Sequence, residues 1–269
     1  MKVALTIAGS DPSGGAGLQA DLKTFHQHGV YGTCVVTLLT VQNTVSVSDI
    51  LPIDAGFVLA QLDAVLSDIP PQAAKTGALG DPELIRRLAN RAHEFSFPLV
   101  IDPVMISKHG QPLLGERAIE ALADELLPQA YLITPNRHEA ERLCGITIES
   151  REAMLAAADA ILRMGVANVL IKGGEFEGHS VDLLCSATET CWLESERWRT
   201  LSTHGSGCVF SAAVTARLAL GDELTEAACG AKRFISAAIR DAPGLGKGVG
   251  PVNMAVAAEF EPPDPEAKP

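Results

Sequence analysis

Much is missing from this sequence of 269 residues, and each gap narrows what it does. There is no basic surplus: 21 Lys and Arg stand against 33 Asp and Glu, a net charge of −12. Such a chain lacks the cationic footprint of a nucleic-acid binder. No apolar run approaches the ~18 residues needed to cross a bilayer, so no membrane partner is expected. The first residues, Met1-Lys2-Val3-Ala4-Leu5-Thr6-Ile7-Ala8, lack the cleavage pattern of a secretion signal and read as a first strand. Cys34, Cys144, Cys185, Cys191, Cys208 and Cys229 form no Cys-x-x-Cys pair and have no histidine at zinc spacing. Reduced thiols in the cytoplasm are expected, without disulfides. No Walker A sequence occurs either, so phosphate chemistry here needs another loop.

What is present is 47% hydrophobic, enough for a substantial core. Apolar runs at 3–8, 35–39, 73–77, 98–104, 131–134 and 169–172 read as strands. Helical patterns fall between them at 16–28, 55–66, 82–94, 117–127, 138–144 and 150–164, with Asp81-Pro82 and Ser150 as start signals. This alternation predicts an α/β protein with a mostly parallel sheet covered by helices on both faces. Short runs at 181–185, 190–193 and 197–201 suggest antiparallel strands at one edge, followed by helices at 209–220 and 224–240. One domain is expected over 1–258, with an acidic, proline-rich tail at 259–269 expected to be disordered.

The stretch Thr203-His204-Gly205-Ser206-Gly207-Cys208 runs into the apolar helix beginning near Val209. A helix start carries unpaired N–H groups and the positive end of the dipole, so the loop suits an anion. A plain turn before a core helix fits the same letters. Cys208 stands where a helix start favours a thiolate, and His204 is expected to diverge from it. Polar clusters recur at the expected carboxyl ends of strands, where open α/β sheets bind ligands: Asp11 to Asp21, Gln42-Asn43-Thr44, Lys75-Thr76-Gly77, Asp102-Pro103, Thr134-Pro135-Asn136 and Lys172-Gly173-Gly174. Asn136 and Glu139, three apart at a helix start, suit either magnesium held partly through water or a simple cap. Lys172 and Lys232 are candidate phosphate partners or solvated lysines, and the glycine-rich run at 244–250 is a candidate nucleotide loop or a mobile turn. Residues 107–114 form a candidate lid. The histidines other than His204 (His26, His28, His93, His109, His138 and His179) are expected at the surface.

Taken in order, these motifs resemble the hydroxymethylpyrimidine/phosphomethylpyrimidine kinases of thiamine biosynthesis, in the ribokinase-like superfamily. The likeness runs from Leu5 to about Val252. It opens with Thr6-Ile7-Ala8-Gly9-Ser10-Asp11-Pro12-Ser13-Gly14-Gly15-Ala16-Gly17-Leu18-Gln19-Ala20-Asp21 and closes with Thr203-His204-Gly205-Ser206-Gly207-Cys208. The resemblance implies a three-layer α/β/α fold and ATP-dependent phosphorylation of 4-amino-5-hydroxymethyl-2-methylpyrimidine and its monophosphate. It assigns the pyrimidine to Asp21 and Gln42, with Gly9, Ala16 and Val104 lining its pocket. It assigns the phosphoryl group to Gly205, Ser206 and Gly207, with Cys208 as the base. ATP falls to Asn136, Glu139, Lys172, Lys232 and Gly246, and magnesium to Asp102 and Glu139. It also implies a homodimer. Ser206 replaces the usual Thr, and Ala78 stands where many relatives carry Met, which widens the pocket wall and keeps pyridoxal kinase as the alternative.

Overall fold

The computed structural model describes residues 1–106, 110–176 and 179–258. The tail at 259–269 lies outside the described residues, as do residues 107–109 of the candidate lid. Among the described residues nine strands form one sheet: β1 (Val3–Ser10), β2 (Tyr31–Gln42), β3 (Val47–Pro52), β4 (Ala73–Thr76), β5 (Leu99–Ile101), β6 (Leu132–Ile133), β7 (Asn168–Phe176), β8 (His179–Ser186) and β9 (Thr190–Glu196). Their order is β3-β2-β1-β4-β5-β6-β7-β8-β9. The six strands from β2 through β7 in that order pair in parallel, as the strand–helix alternation predicts.

Both edges are antiparallel. The β7–β8–β9 edge was expected, but β3 was not, and β2 is longer than the apolar run at 35–39 suggested. In β3 only Val47 is buried, and Pro52 ends it, so the strand lacks the apolar signature of a buried one. Conversely, the strand expected at 197–201 does not form. Those residues make a largely exposed loop, because among the described residues no strand lies beyond β9 to pair with them.

Helices are α1 (Gly17–Gln27), α2 (Ala55–Asp68), α3 (Pro82–Ala92), α4 (Glu116–Ala121), α5 (Arg137–Cys144), α6 (Arg151–Leu162), α7 (Ser206–Leu220) and α8 (Leu224–Arg240). Their starts follow from local chemistry. Asp54, Asp81 and Ser150 accept from Phe57 N, Glu83 N and Ala153 N, and Pro82 occupies the first turn of α3, where its missing N–H costs nothing. In α3 the buried Leu84, Ile85, Leu88, Ala89 and Ala92 make one stripe at helical spacing.

Side chains alternate across the sheet. Leu5, Ile7, Ala74, Leu99, Ile101, Ile133, Val169 and Ile171 pack in one core with α2, α3, α4 and α6. The intervening residues face α1, α7 and α8: Ala4 and Ala73 against α1 and α7, and Val100, Leu132 and Leu170 against α7 and α8. This second face turns polar toward the carboxyl ends of the strands. Thr6 aligns with Lys75, Lys75 aligns with Val100, and one period of two further on stand Asp102, Thr134 and Lys172. The pleat therefore delivers a row of polar side chains beneath the start of α7.

Candidate active site

At that place lies a cavity of about 760 Å³. It is lined by Gly9, Ala16, Asp21, Gln42, Asp102, Val104, Asn136, Glu139, Lys172, Gly205, Ser206, Gly207, Cys208 and Lys232, so fourteen of the fifteen residues singled out in the sequence meet. Gly246 does not line it. Its run packs over the turn after β2, where Lys247 N and Gly248 N donate to Thr44 Oγ1 at 3.2 and 3.3 Å and Val249 N to Thr44 O at 2.8 Å. Glycine is required there by contact with Thr44 and by a φ of 85°.

The start of α7 forms one wall. Gly205 has φ 74°, and a Cβ on it would overlap Gly15 O, so the turn accepts no other residue without strain. Among the described residues no side chain caps this helix. Ser206 N turns back to Thr203 O at 3.2 Å, which leaves Gly207 and Cys208 as the better anion donors. A Cβ on Gly207 would come within 3.3 Å of Lys172 Nζ, so the bare glycine leaves that ammonium room beside the helix start.

Lys172 Nζ lies 2.9 Å from Asp102 Oδ1, and Ser211 Oγ donates to Asp102 Oδ2 at 3.1 Å. Burial works to raise the Asp102 carboxyl, yet Lys172, Lys75 and the Ser211 hydroxyl hold it below the usual range. Glu139 differs. Its burial, with Asp102 nearby, outweighs the Lys172 charge and pushes its carboxyl up to about 7. Asn136 and Glu139 are also a full capping box for α5: Glu139 N donates to Asn136 Oδ1 at 3.0 Å and Asn136 N to Glu139 Oε2 at 2.8 Å. The cap and the cavity role coexist in the same two residues. Among the described residues no group of three or more His, Cys, Asp and Glu could hold a metal. A pair of carboxylates completed by phosphate oxygens is nevertheless how magnesium is commonly held.

Two further ion pairs stand in the wall. Lys232 Nζ meets Asp182 Oδ2 at 2.7 Å and Ser180 Oγ at 3.0 Å. Asp21 is fully buried, with Oδ1 2.7 Å from Lys75 Nζ and Oδ2 accepting from Thr6 at 2.6 Å. Burial alone would lower the Lys75 ammonium, but Asp21, Cys208 and Asp102 around it hold it above its ordinary value. Lys75 is the residue sequence reasoning undervalued, naming it only as part of a strand end.

Cys208 corrects an expectation. The helix start was expected to favour its thiolate, but burial pushes the thiol up to about 12; Lys75 and a backbone hydrogen bond from Gly17 pull it down, and Asp21 and Asp102 push it further up. Desolvation outweighs the helix start here. His204 diverges from Cys208 as expected, toward Asp11 and Gln42. His28 is not at the surface: it is buried, its Nδ1 lies 2.8 Å from Thr24 O and its ring meets Phe234 edge-on, and burial lowers its pKa.

A family model described as phosphomethylpyrimidine kinase matches residues 11–253. The hydroxymethylpyrimidine/phosphomethylpyrimidine kinase of Synechococcus elongatus is 46% identical over 93% of this chain and 96% of its own. The thiamine biosynthesis bifunctional protein ThiED of Geobacter sulfurreducens is 49% identical over 95% of this chain, which spans only 52% of that longer protein. A structure of the pyridoxal kinase from Staphylococcus aureus with AMP-PCP and pyridoxal superposes with a TM-score of 0.87 at 37% identity, covering 95% of this chain and 94% of that one.

Proposed function

The chain belongs to the phosphomethylpyrimidine kinase family, and from that premise we propose that it transfers the γ-phosphoryl group of ATP to 4-amino-5-hydroxymethyl-2-methylpyrimidine and then to its monophosphate, in thiamine biosynthesis. The observation that carries this reading is one cavity holding both an uncapped glycine-rich helix start beside Lys172 and Asp102, and a carboxamide, Gln42, able to read an aminopyrimidine edge.

Phosphoryl transfer needs positioning and charge neutralisation more than covalent chemistry from the protein. The Gly207 and Cys208 amides hold the transferring group, and Lys172 and Lys232 carry positive charge to the phosphates. Asp102 and Glu139 are the residues that would hold magnesium; burial, with Asp102 nearby, raises the Glu139 carboxyl, and a cation beside it would favour its ionised form. Magnesium, when bound, supplies charge neutralisation on the phosphate oxygens. Gln42 and Asp21 orient the pyrimidine, with Gly9, Ala16 and Val104 around it. Cys208 accepts the hydroxyl proton only as thiolate. Free Cys208 is a thiol at neutral pH, so only its small thiolate fraction can take that proton, and turnover through it rises with pH.

The reading is tested by steady-state turnover of hydroxymethylpyrimidine, its phosphate and pyridoxal with Mg-ATP. A tenfold or greater preference for the pyrimidines is expected. Preference for pyridoxal would favour the second reading, which the likeness to the pyridoxal-bound staphylococcal kinase supports. We also place the protein in the cytoplasm as a homodimer. Leu39, Val41 and Leu51 lie exposed on one side of the β2–β3 pair, and a second copy covering them accounts for that patch. Light scattering of Leu51→Lys should show a monomer; an unchanged mass would place the interface elsewhere.

A further inference from the structure

Gln42 touches two groups besides any ligand, and each has a single hydrogen to give. Its Nε2 lies 3.3 Å from His204 Nε2, and its Oε1 lies 3.3 Å from Thr40 Oγ1. The Thr40 hydroxyl also lies 2.9 Å from Ser10 O, a carbonyl that only accepts. The one Thr40 hydrogen therefore belongs to Ser10, and toward Gln42 the hydroxyl offers a lone pair.

His204 is constrained in the same way. Its Nε2 lies 2.7 Å from Asp11 Oδ2, with both side chains almost wholly buried. Burial works to raise the Asp11 carboxyl, but His204 and Ser13 hold it below the usual range, so it is an ionised acceptor. His204 Nε2 thus carries the hydrogen of that contact, in the neutral or the charged ring alike, and has no lone pair for an amide N–H. Asp11 is itself immobile. It accepts from Ser13 N at 2.9 Å, Ser13 Oγ at 2.7 Å, Gly15 N at 3.2 Å and Ala16 N at 2.9 Å, and the His204 backbone is held by Gly250 O at 2.9 Å.

An amide nitrogen and an amide oxygen have nearly the same size, so the partners decide which way a carboxamide points. Both partners here require the same answer: oxygen toward His204 and NH₂ toward Thr40, a half-turn from the arrangement that sets two N–H groups face to face. We propose that Asp11 and His204, with Thr40, are positioning residues that fix the orientation of the Gln42 carboxamide and so set the order of donor and acceptor it presents to substrate. The proposal rests on the kinase reading, because the ligand edge it concerns is that of the acceptor. One amide hydrogen and one oxygen lone pair remain for the ligand, in a fixed order. That order accepts from an exocyclic amino group and donates to the neighbouring ring nitrogen. A 4-oxo ring reverses both, and a freely turning amide would serve either.

The experiment compares kcat/KM for 4-amino-5-hydroxymethyl-2-methylpyrimidine with that for its 4-oxo analogue. Wild type is expected to prefer the amino compound at least a hundredfold. His204→Leu should cut that ratio at least tenfold with little change in the KM for ATP, and His204→Gln, which keeps an N–H donor, should restore most of it. In a Gln42→Ala background His204→Leu should leave the ratio unchanged. Equal losses on both substrates, or an effect that survives Gln42→Ala, would mean that His204 only supports the fold and would overturn the proposal. NMR of ¹⁵N-histidine wild type without substrate gives a second readout, independent of turnover. A hydrogen on His204 Nε2 is expected, and a bare Nε2 overturns the proposal even if every variant misfolds. Wild type that phosphorylates neither compound while Nε2 is protonated refutes the kinase reading and leaves the hydrogen-bond order standing.

Discussion

Two helices begin at the same cavity and treat their first turns in opposite ways. α5 closes its start with a capping box, Asn136 and Glu139 each bonding the other's backbone, while α7 has no side-chain cap among the described residues and begins at a glycine in the left-handed region. The α5 start binds the Asn136 and Glu139 amides to its own two capping side chains and places Glu139 in the cavity wall. The α7 start has kept its Gly207 and Cys208 amides for whatever enters. Both conform to the rules for helix starts, and the difference lies in whether a side chain of the right length stands at the cap. On the proposed kinase reading, one start would meet a cation and the other an anion, as joining a nucleotide to a metal and moving its phosphoryl group requires.

If this contrast is right, damage at α7 costs turnover by orders of magnitude, whereas changes at α5 act through pH-dependent stability and the use of magnesium. The largest effect is expected from Gly205→Ala. A Cβ there meets Gly15 O in a left-handed turn, so stability should fall by about 2 kcal/mol or more and turnover by at least ~10³-fold. A chemical denaturation curve and a turnover assay read the two. Cys208→Ala comes next, with kcat expected to fall ~10²–10⁴-fold and substrate binding almost unchanged. Because the thiol lies near 12, its thiolate fraction grows about tenfold per pH unit through the neutral range, and wild-type kcat should rise in step. A flat profile with near-normal turnover in the alanine variant would strip Cys208 of its role as base.

At α5 the expected sign for stability reverses. Burial holds Glu139 near 7 against the usual 4.5, so between those values the folded state keeps a proton the unfolded chain has lost. Stability from this group therefore falls as pH rises from about 4.5 through 7 and is lowest above that. Glu139→Gln keeps the capping geometry without the charge. It should melt higher at pH 8, by on the order of 1–3 kcal/mol, with little gain at pH 5, while turnover in limiting magnesium drops. Loss of stability at pH 8 would show that the carboxylate is compensated within the protein after all. Asn136→Ala is the smallest, about 1 kcal/mol of stability with a several-fold rise in the KM for Mg-ATP.

Much of this was legible because helix starts and strand ends are written in contiguous letters. The α5 cap is four residues long and the α7 loop six, and the alternating pattern placed most of the sheet. What stayed hidden is pairing across distance. Asp21 with Lys75, Asp102 with Lys172 and Asp11 with His204 are separated by 54, 70 and 193 residues, and no local pattern marks a lysine as fully buried. The thiol of Cys208 was misjudged for the same reason. Its helix start can be read from its neighbours, but the burial that overrides it is supplied by β4, β5 and α1. The β3 edge escaped notice because an exposed strand with a terminal proline carries almost no strand signal.

The run from Leu245 to Val252 has a temporal consequence. Thr44 is bonded by residues 203 and 204 positions further on, and His204 rests on Gly250 and Val252 while holding Asp11 near the start of the chain. On a ribosome, the parallel strands emerge long before the segment that clasps the substrate side of the cavity. Loop closure over such spans is entropically slow, so the sheet should be in place while the binding site is still open. A chain truncated after Arg240, which keeps α7 and α8 but lacks the clasp, is then expected to resist proteolysis across its sheet and yet to bind no pyrimidine.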